Sequence, residues 1–91
     1  MNRFTLLTTK EVDEAITEIW LASKDRKQVT AAVNKAEGEL ANRPLAAARN
    51  MGEGLLSRDF PPLRFYYTVW DVDEIVTVTA VATLRNDATQ Q

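Results

Sequence analysis

Apolar and polar residues alternate most clearly in the last third of the chain. Leu63, Phe65, Tyr67 and Val69 interleave with Arg64, Tyr66, Thr68 and Trp70, the period of two expected of a strand with one face on a core. Asp71-Val72-Asp73 then predicts a turn, and Ile75 to Ala82, rich in Val and Thr, predicts the partner strand of a hairpin. Upstream, Leu55 to Phe60 reads as a strand closed by Pro61-Pro62. Arg3 to Leu7 reads as a short strand with Phe4 and Leu6 on one face.

Between these strands the period lengthens to that of a helix. Val12, Ala15, Ile16, Ile19 and Trp20 recur every three or four residues, an amphipathic stripe that places Trp20 toward the core. Thr8 and Glu11 have capping-box spacing at its start, and Glu11, Asp13 and Glu14 place negative charge where the helix dipole favours it. This helix is expected to run to about Ala22. Asp25 with Gln28 marks a second N-cap, followed by the stripe Val29, Ala32, Val33, Ala36 and Leu40; Pro44 ends the helix. Residues 45–54 fit either a further helical turn or a loop bracketed by Gly52 and Gly54.

The predicted order is β-α-α-β-β-β: an N-terminal strand, an antiparallel helix hairpin and a three-stranded antiparallel meander. It implies a two-layer α+β fold with the helices on one sheet face. Residues 1–91 form one expected domain, with residues 86–91 as a frayed polar tail.

Composition narrows the chemistry. The 91 residues include no Cys and no His. That removes disulfides, thiolate zinc sites, imidazole catalysis and His-ligated metals. Eleven basic and 13 acidic residues give a net charge of −2, unlike a general nucleic-acid coat. No apolar run approaches a membrane span. The opening Met1-Asn2-Arg3-Phe4 lacks a signal-peptide hydrophobic stretch, so the expectation is a cytoplasmic protein without membrane contact. No cofactor motif or metal motif is present, and Asp71, Asp73 and Glu74 read as a solvated turn.

Several local patterns occur in a telling order: Leu40-x-x-x-Pro44, then Gly52-Glu53-Gly54-Leu55 with Arg58. Leu63-Arg64-Phe65-Tyr66-Tyr67-Thr68-Val69 comes next, followed by Val76-x-Val78-x-Ala80-Val81. The series closes with Ala80-Val81-Ala82-Thr83-Leu84-Arg85-Asn86-Asp87. Together they resemble the RelE/ParE superfamily of toxins from bacterial toxin–antitoxin pairs (the plasmid stabilisation family), over roughly residues 3–87. The chain departs from that pattern at Thr83, where many relatives carry His, at Asn86, where a second Arg is frequent, and in a tail without Tyr.

The resemblance makes Arg64 the first candidate for function, because a guanidinium presents a planar donor fork to the charged phosphorane of RNA cleavage. The plainer reading is a strand Arg paired with a neighbouring acid. Arg58 and Arg85, ending the strands on either side, are expected to converge with Arg64 on one side of the sheet, with Arg43 and Arg49 at its rim. Tyr66 shares the Arg64 face as a stacking or proton-donating group. Tyr67 belongs to the core, and Trp70 falls on the Arg64 face. A general base would have to be Glu53, Asp59, Asp87 or a Tyr, and an unperturbed carboxylate is a weak base for a hydroxyl.

The resemblance implies a growth-arresting toxin neutralised by a cognate antitoxin, which would dock on Ile75 to Ala82 or on the helix hairpin. Its target is open between mRNA on the ribosome, cut as a metal-independent endoribonuclease (an mRNA interferase), and DNA gyrase, inhibited without RNA cleavage. A homodimer of the free toxin is a further expectation. The alternative is a catalytically inactive relative acting only as a protein-interaction scaffold.

Overall fold

A computed structural model describes residues 3–84. Along the chain run β1 (Thr5–Thr8), α1 (Lys10–Ala22), α2 (Arg26–Asn42), β2 (Arg49–Gly52), β3 (Leu55–Phe60), β4 (Leu63–Trp70) and β5 (Ile75–Thr83). The strands form one sheet in the order β1-β5-β4-β3-β2. β1 runs parallel to β5, and the other neighbours are antiparallel.

Both helix starts are set by side-chain caps. Asp25 accepts from the Gln28 backbone N–H, as the spacing predicts. At α1 the cap is Thr9, one residue later than Thr8: the Thr9 hydroxyl accepts from the Val12 N–H, while the Thr8 hydroxyl donates to the Asp13 carboxylate. Between the helices, Arg26 donates to the Trp20 and Leu21 carbonyls, satisfying acceptors that the end of α1 leaves free.

The helices cover one face of the sheet. Val12, Val29, Ala32, Ala36 and Leu40 pack on Phe60, Leu63, Phe65, Tyr67, Val76 and Val78. Tyr67 is fully buried, and its hydroxyl donates to the Pro44 carbonyl at 2.6 Å, so the strand core also holds the chain leaving α2. Trp20, expected in the core, is 37% exposed. Its ring lies 4.6 Å under the Arg26 guanidinium and its Nε1 donates to Thr30, a wet environment that suits its polar edge.

Two features depart from the expected order. Residues 49–52 form a fourth strand of the meander, β2, every residue of which is exposed. Arg-Asn-Met-Gly carries no alternating pattern, and the strand exists because the Gly52-Glu53-Gly54 reversal, all three at positive φ, folds it back onto β3. A bulge also interrupts the β4–β5 ladder between Tyr66 and Tyr67, so Tyr66 pairs with Ala80 but Tyr67 with Val78. The unpaired Thr79 resets the side-chain alternation. Val76 and Val78 therefore share the core face with Val81, and Ala80 and Ala82 reach the other face.

Candidate functional site on the open sheet face

The face away from the helices is built by alternation along paired strands. Ser57 and Asp59 of β3 lie opposite Tyr66 and Arg64 of β4, and Arg49 of β2 lies opposite Ser57. Across β4, Tyr66 and Arg64 face Ala80 and Ala82. Two small exposed side chains thus leave the Arg64–Tyr66 side uncrowded on β5. Farther along β4, Trp70 stands 60% exposed beside Ile75.

Arg64 does not stand free. Its Nε lies 2.7 Å from Asp59 Oδ1, and its second guanidinium nitrogen also donates to that carboxylate. The Arg64 guanidinium, and to a smaller degree Arg49, holds the Asp59 carboxyl below the usual range. Asp59, and after it Tyr66, pushes Arg64 further up. Such a fork-to-carboxylate pair has the geometry with which Arg grips phosphate. It also lowers the basicity of the Asp59 carboxylate. Glu53 sits in the β2–β3 reversal at φ 55°, away from this row. Tyr66 and Ser57 are hydroxyl-bearing side chains that share the row with Arg64.

The expected arginine cluster divides between the two faces. Arg58 pairs across the ladder with Phe65 and turns to the helix layer. There it donates to Glu39 at 2.7 Å and to the Arg43 carbonyl, and lies 4.9 Å over the Phe60 ring. The reason is the strand period: positions 58 and 64 sit on opposite sides of a sheet whose register pairs 59 with 64. Arg58, followed by Arg43, holds the Glu39 carboxyl below its ordinary value. Arg43 is thereby part of this clasp at the end of α2. Arg85, like Asp87, lies outside the described residues. Sequence reasoning set Arg49 only at the rim of this surface and named Asp59 among several candidate bases; its plainer reading of Arg64, pairing with a neighbouring acid, is the arrangement found.

The expected docking strand also changes. β5 has β4 along one side, while β1 covers only Ile75–Val78 on the other, so strand addition is blocked over those four residues and, among the described residues, the Thr79–Thr83 edge has no strand beside it. The free edges of the sheet are β1, β2 and the Thr79–Thr83 half of β5. Among the described residues, no group of three or more His, Cys, Asp or Glu is assembled to hold a metal. No described helix is long and apolar enough to cross a membrane.

No family model matches the sequence, and no curated protein matches it. Solved structures do. The isolated RelE toxin of E. coli superposes with a TM-score of 0.64 at 19% identity, over 96% of this chain and 92% of that one. The fold is that of the RelE/ParE toxins. The RelBE2 toxin–antitoxin complex of Mycobacterium tuberculosis matches with a TM-score of 0.77 at 20% identity, covering 94% of this chain and 97% of its counterpart. The ParDE system of P. aeruginosa matches at 0.69 and 11% identity, covering 91% and 98%. This chain therefore shares its layout with these proteins at 11–20% sequence identity.

Proposed function

We propose that this chain is the toxin of a toxin–antitoxin pair and that the open face carrying Arg64 is its working surface. The observation that supports the reading is the conjunction of a RelE/ParE fold with a semi-exposed, fork-oriented Arg on the face the helices leave bare. The similar structures include toxin–antitoxin complexes, and a cognate antitoxin is the corresponding partner of this chain. With β5 paired on both sides only at Ile75–Val78, the antitoxin has the open face, the β1 and β2 edges and the Thr79–Thr83 edge of β5 to use.

A second reading, inhibition by binding rather than RNA cleavage, is favoured by one specific feature. Asp59 is locked to Arg64 with a depressed pKa, and a carboxylate so held does not abstract a proton from a 2′-hydroxyl. A gyrase-type target requires contact on this face and no proton transfer.

Tightly regulated expression in a bacterium tests both. Wild-type protein is expected to arrest growth. Pulse labelling then separates the targets: loss of amino-acid incorporation first points to translation, and loss of thymidine incorporation first points to gyrase. Unimpeded growth in cells holding folded, soluble protein refutes the toxin reading and favours the scaffold alternative.

A further inference from the structure

The outer edge of β5 is uncovered over Thr79–Thr83. β1 pairs only with Ile75–Val78, and among the described residues no strand lies beside the rest. Thr79, Ala80, Ala82 and Thr83 are exposed. The Leu84 N–H donates to the Pro62 carbonyl of the β3–β4 turn, and this bond fixes which backbone groups point outward. Pairing from Leu63↔Thr83 to Tyr66↔Ala80 is regular, and in an antiparallel ladder alternate residues turn to the partner strand. Leu84, Ala82 and Ala80 therefore turn to β4, while Val81 and Thr83 present their N–H and C=O away from it. Proteins commonly blunt such an edge with a charge or a Pro. Residues 75–84 contain neither. The edge also reads the same in both directions, Thr79-Ala80-Val81-Ala82-Thr83. A two-fold interface sets one patch against its own copy, and this segment is complementary to itself in that sense.

We propose that a second copy of this chain occupies the edge, paired antiparallel about Val81, so that two five-stranded sheets join into one. The pairing sets Val81 on Val81, Ala80 on Ala82 and Thr79 on Thr83. Because Val81 presents its backbone outward, the central pair is a hydrogen-bonded one. No side chain at the seam is larger than Val, so the backbones approach without repacking. The two open faces then become one surface. Ala82 and Ala80 stand between the seam and the Arg64–Tyr66 row of their own copy. Four alanines thus floor a strip between two such rows, about 14 Å apart across three strand spacings. Charge opposes the pairing. The chain carries a net charge of −2, and the end of α1, with Glu18, Ile19 and Ala22, lies beside Thr83 and Leu84. Each copy therefore brings an acid near the seam, and salt should tighten the pair by screening it.

The test is sedimentation velocity on the full chain, from about 5 µM to about 500 µM. Wild type is expected to pass from 10.2 kDa to twice that mass, and to do so at lower concentration as salt is raised. Thr83→Pro removes an outward N–H from each copy and none from the β4 ladder, a place where a sheet tolerates Pro. It should keep the thermal melt of wild type and raise the dissociation constant at least about tenfold. Cysteine pairing reads the register, cleanly in a chain without native Cys. Under mild oxidation Val81→Cys should cross-link, its two copies being about 5.5 Å apart between Cα atoms. Ala80→Cys should not, because its copies lie diagonally, beyond about 7 Å. A wild type that stays monomeric throughout overturns the proposal. A dimer that salt loosens, that Thr83→Pro leaves unchanged, or in which Ala80→Cys cross-links as readily as Val81→Cys, overturns this edge as its seam. None of these readouts depends on growth arrest, which judges the toxin reading separately.

Discussion

Removing the Tyr67 hydroxyl should destabilise the protein out of proportion to its size. Tyr67 is fully buried at the centre of β4, and Pro44 is buried at the end of the segment leaving α2. Their 2.6 Å hydrogen bond ties that segment to the sheet core. Tyr67→Phe keeps the ring and strands the Pro44 carbonyl, and a buried acceptor left without its donor costs about 1–3 kcal/mol. In a domain of this size about 2 kcal/mol lowers the melting temperature by about 8–16 °C. The same residue gives a pH signature. Burial pushes the Tyr67 hydroxyl above its ordinary value of 10.0, so the folded state holds this proton more tightly than the unfolded chain. Stability from this group is complete below pH 10.0 and is lost as the pH rises from there toward the folded value. Thermal unfolding followed by circular dichroism, for both proteins at neutral pH and above pH 10, measures both effects. Wild type should lose more stability than Tyr67→Phe on going alkaline, because the variant has no buried hydroxyl left to ionise. A variant within about 0.5 kcal/mol of wild type at neutral pH, or an identical alkaline loss in both, refutes the account of this contact.

Arg58→Ala should lower stability by about 1–2 kcal/mol through the lost backbone hydrogen bond and the stacking over Phe60. Any weaker growth arrest should follow reduced protein level, and arrest lost at undiminished thermal stability contradicts this. On the acid side, Asp59 and Glu39 both have depressed pKa values, so their stabilisation is present above the ordinary values of 3.8 and 4.5 and fades as the pH falls below them. Acid unfolding of an Asp59→Asn/Glu39→Gln double variant should accordingly be shallower than that of wild type, and superimposable curves would count against both ion pairs. Gly54→Ala should cost about 1 kcal/mol, because φ there is +82° while the space for a Cβ is open; a urea titration showing no loss would mean that the reversal tolerates a side chain.

The fold was legible where side-chain period and local caps agreed. The alternation through Leu63–Trp70 placed every core residue of β4, and the Asp25–Gln28 spacing located the start of α2. β2 was not legible, since Arg-Asn-Met-Gly buries nothing and owes its pairing to a glycine reversal downstream. The parity of Ala80 was not legible either, because a bulge is a property of the pair of strands and leaves little trace in one of them. The Asp59–Arg64 pair was within reach. A two-residue Pro61-Pro62 connection sets Phe60 against Leu63, and the next step outward sets Asp59 against Arg64. The same count places Arg58 opposite Phe65, on the helix side. The parallel β1–β5 pairing, which covers the first four residues of the expected docking strand, joins residues about seventy positions apart, and nothing local in either segment announces it.

The central claim is that the open face acts through Arg64, and growth arrest by wild type beside Arg64→Ala tests it most directly. Among the described residues the ion-pair partner of Arg64 is a semi-exposed Asp59, a contact that contributes little to folding. The variant should therefore melt within about 5 °C of wild type and yet allow growth. An Arg64→Ala protein that is folded, equally abundant and still arrests growth would contradict the claim and move the activity to another part of the molecule.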